Sequence, residues 1–317
     1  MNYLTWRLHR HQVIFAASAL VAMAVLLVVT GSRMAHDYSS ALSTCAASQS
    51  CGNLSDELFQ GDGLLLDFVS AVAIGGPLLL GIFWGAPLIA KEIEEGTHRL
   101  AWAQSITRRR WMATKLGWVL AAAVAWGASM TALVTWWHSP ENALYGRLDS
   151  GHFDIQGIVP IAYAVFAVAL GIAIGTWTRR VMASAAGVLG GFAAVRSLVV
   201  LYVRPHYLGP LTAKLPLGGA VLPGNPWVLS KTLVNGAGHP KALTSTFGYV
   251  PAACHSAVFK GPSALSSCLR AQGYHWLVRY QPASRFWEFQ AIEAALFVTL
   301  ATALVLLALR RVERADA

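Results

Sequence analysis

Apolar residues in this chain gather into six long runs, near 12–30, 64–90, 115–137, 158–178, 182–203 and 290–309, with charged and polar residues between them. Each run matches the ~20 residues that a helix needs to cross ~30 Å of hydrocarbon. The pattern predicts an all-α, polytopic membrane protein of six transmembrane helices, folded as one unit over 1–317. The first run follows Arg7 and Arg10, as the core of a signal peptide would. It is longer than the usual ~7–15 residues, and Arg33 and Met34 stand where a cleavage site wants small side chains, so a retained span is expected. The second run carries Pro77 and Pro87 and should tilt or kink, because proline lacks an N–H and crowds the preceding turn.

Three segments outside the runs have their own character. Residues 1–11 combine Leu4, Trp6 and Leu8 with Arg7 and Arg10, which suits an interfacial helix or a plain basic flank with a tryptophan anchor. Residues 91–115 form a dense, charged, helix-prone insert that cannot sit in lipid. There the second helix should continue through 91–95, with Gly96 as its C-cap; Thr97 should cap a short helix over 98–104, and Thr107 the next one. Residues 204–289 are rich in Gly, Pro and Ser, yet too long and aromatic for a linker, which predicts an ordered cap between the fifth and sixth helices.

Composition and charge narrow the class further. A chain 56% hydrophobic and 12% charged, with mean hydropathy +0.51, is no soluble globule. Of the 24 Lys and Arg, thirteen lie on one set of connections: Arg7, Arg10, Lys91, Arg99, Arg108–Arg110, Lys115, Arg179, Arg180, Arg310, Arg311 and Arg314. Connections 31–63 and 138–157 hold only Arg33 and Arg147. The positive-inside rule then puts both termini in the cytoplasm and 204–289 outside. The +9 net charge reflects this topology and gives no reason to invoke nucleic acid. Cys45, Cys51, Cys254 and Cys268 all fall on the oxidising side, as disulfides require; 45–51 and 254–268 are the preferred pairs, and the two crossed pairings stay open. A metal site from Cys254, His255, Cys268 and His275 would be the competing use, but the spacing fits no usual zinc pattern, and no metal ligand is assigned.

Charges near the membrane zone need a reason. Arg196 lies inside the fifth run, Asp67 near the outer end of the second, and Glu288 and Glu293 flank the outer start of the sixth. An arginine there costs ~2.5–3.5 kcal/mol on insertion scales. Either it snorkels or pairs with Asp67 or Glu293, or these residues line a polar path. Trp136, Trp137, Trp276 and Trp287 are expected as interfacial anchors. Gly81/Gly85, Gly171/Gly175 and Gly187/Gly191 permit close helix approach without saying which faces meet. There is no phosphate loop, no nucleophile elbow and no His-Glu-x-x-His, and Glu293-Ala-Ala lacks the glycine of the importer motif.

The stretch Glu92-Ile-Glu-Glu-Gly-Thr97, followed by Gln104-Ser-Ile-Thr-Arg108 and Lys115, resembles the loop between the second and third spans of ABC-2 type transporter permeases. The run 280–293 resembles a signature of actinobacterial members, and the six-span layout extends the likeness to the whole chain. The resemblance implies that Glu92, Glu94, Glu95, Gly96 and Thr97 form a turn. His98, Arg99, Leu100, Trp102 and Gln104 would then belong to a coupling helix that docks on a separate ATPase. It further implies a dimeric permease in the plasma membrane, recruiting two ATPase subunits that hold ATP and Mg while this chain binds no cofactor. Export is the expected direction. The alternative is a membrane-embedded enzyme or assembly factor acting through 204–289, where no nucleophile–base spacing supports a site.

Overall fold

The computed structural model of the chain describes residues 2–48, 63–96, 108–217, 222–235, 240–241 and 250–314. Among the described residues, six helical stretches are long and apolar enough to cross a membrane: Ala16–Ala41, Gly63–Glu94, Arg110–Trp137, Val159–Thr178, Val181–His206 and Ala283–Arg314. The chain is an all-α, multi-pass membrane protein, as its apolar runs predict.

Helix α1 (Asn2–Ser48) runs without a boundary at residue 11 and continues well past the predicted end of the first span. Residues 2–30 contain neither Gly nor Pro. Beyond them the hydroxyls of Ser32, Ser39, Ser40 and Ser43 fold back on carbonyls three residues earlier, so they leave the helical ladder intact. Helices α2 (Gly63–Leu80) and α3 (Ala86–Glu94) are joined by a wide π turn, Gly81–Gly85, in which the Ala86 amide reaches the Gly81 carbonyl. The turn ends two residues before Pro87, whose missing N–H breaks the ordinary ladder there. After α4 (Arg108–Trp137) come two short helices, α5 (Ser139–Tyr145) and α6 (Ser150–Phe153), then α7 (Val159–Thr178) and α8 (Val181–Leu198). A second π turn (Val199–Val203) and a 3-10 turn (Arg204–His206) extend α8.

Helix α7 is the hub. Its apolar window is 78% buried, against 17–33% for the other five spans, so it is enclosed by protein where they face lipid. All three small-residue pairs converge on it. A Cβ on Gly171 would lie 2.6 Å from both the Ala86 nitrogen and the Gly81 carbonyl oxygen, and one on Gly85 would lie 2.6 Å from the Val168 carbonyl oxygen. From another side, Gly187 and Gly191 make room for Ile174 and Leu170 of α7. Backbones approach this closely only without side chains between them.

Chain ends and connections gather at two poles. At the charged-loop end, Leu88, Ile89, Trp111, Met112, Ala308 and Val312 form one apolar cluster. Opposite, at the cap end, Phe153, Tyr163, Phe166, Phe192, Phe289 and Phe297 form another, with Phe297 edge-on to Tyr163 and Phe166 at 4.7 and 5.1 Å. A third cluster joins α1 to α2 and α4 through Met23, Leu27, Val69, Met130 and Trp137. Trp137 is therefore no interfacial anchor: it is buried, packs against Gly31 and donates its indole N–H to Thr30 Oγ1 at 2.9 Å.

The ordered cap expected over 204–289 contains a feature that run lengths did not predict. Strands β1 (Leu211–Pro216), β2 (Trp227–Val234), β3 (Pro240–Lys241) and β4 (His275–Gln281) form an antiparallel sheet in the order β1-β4-β2-β3. β1 and β4 act as stems, pairing Leu211 with Tyr280 just above the membrane helices. Helices α9 (His255–Val258) and α10 (Pro262–Ala271) cover the sheet, and α11 (Phe286–Arg314) returns through the bundle. Cys254 and Cys268 form a disulfide inside a small core with Leu217, Leu233 and Leu269. The Cys45–Cys51 pairing lies outside the described residues.

Candidate functional site

At the charged-loop end, α3 stops as its sequence predicts. The amides of Glu95 and Gly96 close on the carbonyls of Lys91 and Ile93, and Gly96 takes a left-handed φ of 72°, which glycine adopts without strain. The acids in this last turn hold neighbouring helices. Glu92 accepts a hydrogen bond from Lys115 of α4, whose ammonium also lies 4.4 Å from the Trp111 ring centroid. Glu94 Oε2 accepts from the Val181 amide at 3.0 Å and so caps the start of α8. Glu95 is exposed and lies 3.9 Å from Lys91. Thr97, His98, Arg99, Leu100, Trp102 and Gln104 lie outside the described residues.

At the cap end a group of charges is buried where α6, α7, α8 and α11 meet. Arg204 is 1% exposed and Glu293 0%. Arg204 donates from Nε to Glu293 Oε2 at 2.8 Å and from Nη2 to Oε1 at 2.7 Å. Its Nη2 also donates to Asp154 Oδ1 and lies 3.1 Å from the Tyr163 hydroxyl, while its guanidinium covers the Phe153 ring at 4.5 Å. Tyr163 donates to Glu293, as does Tyr207 at 3.0 Å. Arg196 completes the set by donating to Asp154 Oδ2 at 2.8 Å. Two guanidiniums face two carboxylates, so the buried charge cancels, and hydroxyls occupy lone pairs that an isolated ion pair would leave empty.

This corrects the expected pairing of Arg196. Its partner is Asp154, not Asp67 or Glu293; Glu293 belongs to Arg204, and Asp67 is exposed on α2. Asp154, Tyr163, Arg204 and Tyr207 escaped sequence reasoning. Asp154 and Arg204 stood in stretches read as loops, and the π turn supplies the missing geometry. At 3.6 residues per turn, positions 196 and 204 differ in direction by about 80°. One extra residue in a wide turn takes back about 100°, bringing the two arginines to within about 20° of one face. Both consequently reach the same carboxylate.

A groove of about 450 Å³ opens between α2 and α8, lined by Ile74, Leu78, Phe192 and Leu201, with Asp154 and Arg196 reaching its wall. Arg204 and Glu293 lie behind it, sealed from solvent. The arrangement is a closed network of charges and hydroxyls. It is built to hold four elements in register while presenting one ion pair to a mostly apolar groove.

A separate polar group lies between α4 and α7. Glu141 places Oε2 2.5 Å from His138 Nδ1 and Oε1 3.1 Å from His152 Nε2. Burial works against ionisation of Glu141, but hydrogen bonds to His138 and His152 outweigh it and hold its carboxyl down at about 2. The hydrogen bond to Glu141 raises the pKa of His152 against the opposing effect of burial. The cysteine–histidine alternative over 254–275 is removed as a thiolate site, because both cysteines are spent in the disulfide.

Compared with known proteins, residues 17–204 match the family described as ABC-2 membrane transporter related. No curated protein and no solved structure matches the chain.

Proposed function

The chain belongs to the ABC-2 membrane transporter related family, a transport subunit by membership, and we propose that it is the permease of an ATP-driven exporter whose ATPase is a separate subunit. Two ATPases would dock on a permease homodimer in the plasma membrane, each carrying the ATP and Mg. The termini and 91–115 would face the cytoplasm, with the cap outside. Residues 92–104 would receive the motion of the ATPase.

One observation supports this reading above others: the acidic turn is lashed to two further helices. Glu92 is tied to α4 through Lys115, and Glu94 to the start of α8 through the Val181 amide. A push on the segment after Gly96 therefore reaches α3, α4 and α8 together. Helix α8 then leads to Arg196, where Asp154 and the apolar groove form the candidate substrate path. An amphipathic substrate suits a groove with one ion pair in an otherwise apolar lining.

The tethers and the docking surface are separable by mutation. The chain, purified from its native membranes, should bring an ABC ATPase with it. Glu95→Lys, at an exposed position, should weaken that association. Glu94→Ala should retain the ATPase but lower ATP-dependent transport several-fold, since it removes the acceptor at Val181. Failure to recover any ABC ATPase, or normal transport in Glu94→Ala, would defeat the proposal.

A further inference from the structure

The segment between α4 and α7 carries a donor set that the proposed transport cycle does not use. Helix α4 ends at Trp137, and Pro140 restarts the chain as α5, so His138 and Glu141 stand three residues apart on one side of a short helix. Helix α6 then returns His152 to the same point. One ligand atom from each of the three residues lies within 4.8 Å of the others. His138 is 1% exposed, Glu141 is also buried, and the two imidazoles meet edge to face at 5.6 Å.

We propose that His138, Glu141 and His152 bind a divalent transition-metal cation of the zinc class. Two imidazole nitrogens and one carboxylate oxygen make a borderline donor set suited to Zn2+, whereas Ca2+ and Mg2+ want oxygen ligands. Donors held at 2.0–2.1 Å from a tetrahedral ion stand about 3.3 Å apart. The separation of Glu141 Oε1 from His152 Nε2, 3.1 Å, is already near that value. His138 Nδ1 contacts the other oxygen, Oε2, at 2.5 Å. The three donors, now within 4.8 Å of one another, would draw together about the ion as the carboxylate turns one oxygen to it.

The far side of the His152 ring has the outer partner that a metal-bound histidine needs. If both near nitrogens donate hydrogens to Glu141, the far nitrogens are bare acceptors; His138 Nε2 and His152 Nδ1 are both buried without a hydrogen-bond partner. With a cation bound, the near nitrogens offer lone pairs and the far nitrogens carry hydrogens. Asp149 Oδ2, 4.0 Å from His152 Nδ1, is then placed to become the outer carboxylate that orients a metal-bound histidine. The bound ion would fasten the segment two residues before Asp154, and thus the carboxylate shared by Arg196 and Arg204.

The full chain, purified in detergent with a histidine-free tag and stripped with chelator, should take up one equivalent of Zn2+ in calorimetry. Co2+ at the same site should show the intense visible bands of a four-coordinate complex. His152→Gln and Glu141→Gln should weaken Zn2+ binding at least tenfold, and Asp149→Asn, at an exposed position, by about 10–100-fold. No saturable Zn2+ site in the native chain, or undiminished binding in His152→Gln, overturns the proposal. Should a substituted chain fail to fold, the Co2+ spectrum of the native chain decides: four-coordinate bands support the site, and the pale six-coordinate spectrum alone refutes it.

Discussion

Arg204 grips both oxygens of Glu293 from two of its nitrogens, at 2.8 and 2.7 Å, in a place closed to solvent. The pair joins the end of α8 to the cap-side start of α11, and through Asp154 it extends to the connection before α7. Breaking a buried ion pair from one side costs about 3–5 kcal/mol, because the remaining charge has no partner. Arg204→Met should therefore lower thermal stability in detergent far more than Arg196→Met, whose site opens to the groove. The double substitution Arg204→Met with Glu293→Leu should recover part of the loss. Equal stability of Arg204→Met and the native chain would show that the cluster does not hold the bundle.

The approach of α7 to the Gly81–Gly85 turn makes a second prediction. Gly171→Ala forces a methyl to within 2.6 Å of backbone on both sides of that turn, and overpacking of this kind costs about 1–3 kcal/mol. Gly190 in α8 has open space around its missing Cβ. Gly190→Ala should be neutral, or stabilising by about 0.5–1 kcal/mol through helix propensity. Unfolding midpoints of the two variants, measured side by side, should separate clearly. Matching midpoints would mean that the close packing is not maintained.

Sidedness can be read with a thiol reagent that does not cross membranes. Phe259 is 86% exposed on the cap, whereas Glu95 and Arg314 are exposed at the opposite pole. Cysteine at 259 should label in intact cells, and cysteine at 95 or 314 only after the cells are opened. Val312 would be a poor reporter, since it is buried against α3 and α4. Labelling at 314 in intact cells would invert the proposed topology.

The sequence alone determined the six spans, the end of α3 at Gly96 and the segregation of cysteines that allows Cys254 to meet Cys268. These are local properties: a run either spans the hydrocarbon or does not, and a left-handed cap favours glycine wherever it occurs. What only tertiary structure decided was the set of partners. Trp137 reads as an anchor until Gly31 of α1 leaves room to bury it. Arg196 has several acids within plausible reach along the chain, and its choice of Asp154 depends on how α6 returns beneath α7. Arg204 joins the same carboxylate because a single π turn rotates it onto the face of Arg196. The cap sheet likewise depends on β4 lying between β1 and β2, strands far apart in sequence. Hydropathy is a sum over neighbours in the chain, whereas charge pairing and strand order are set by neighbours in space.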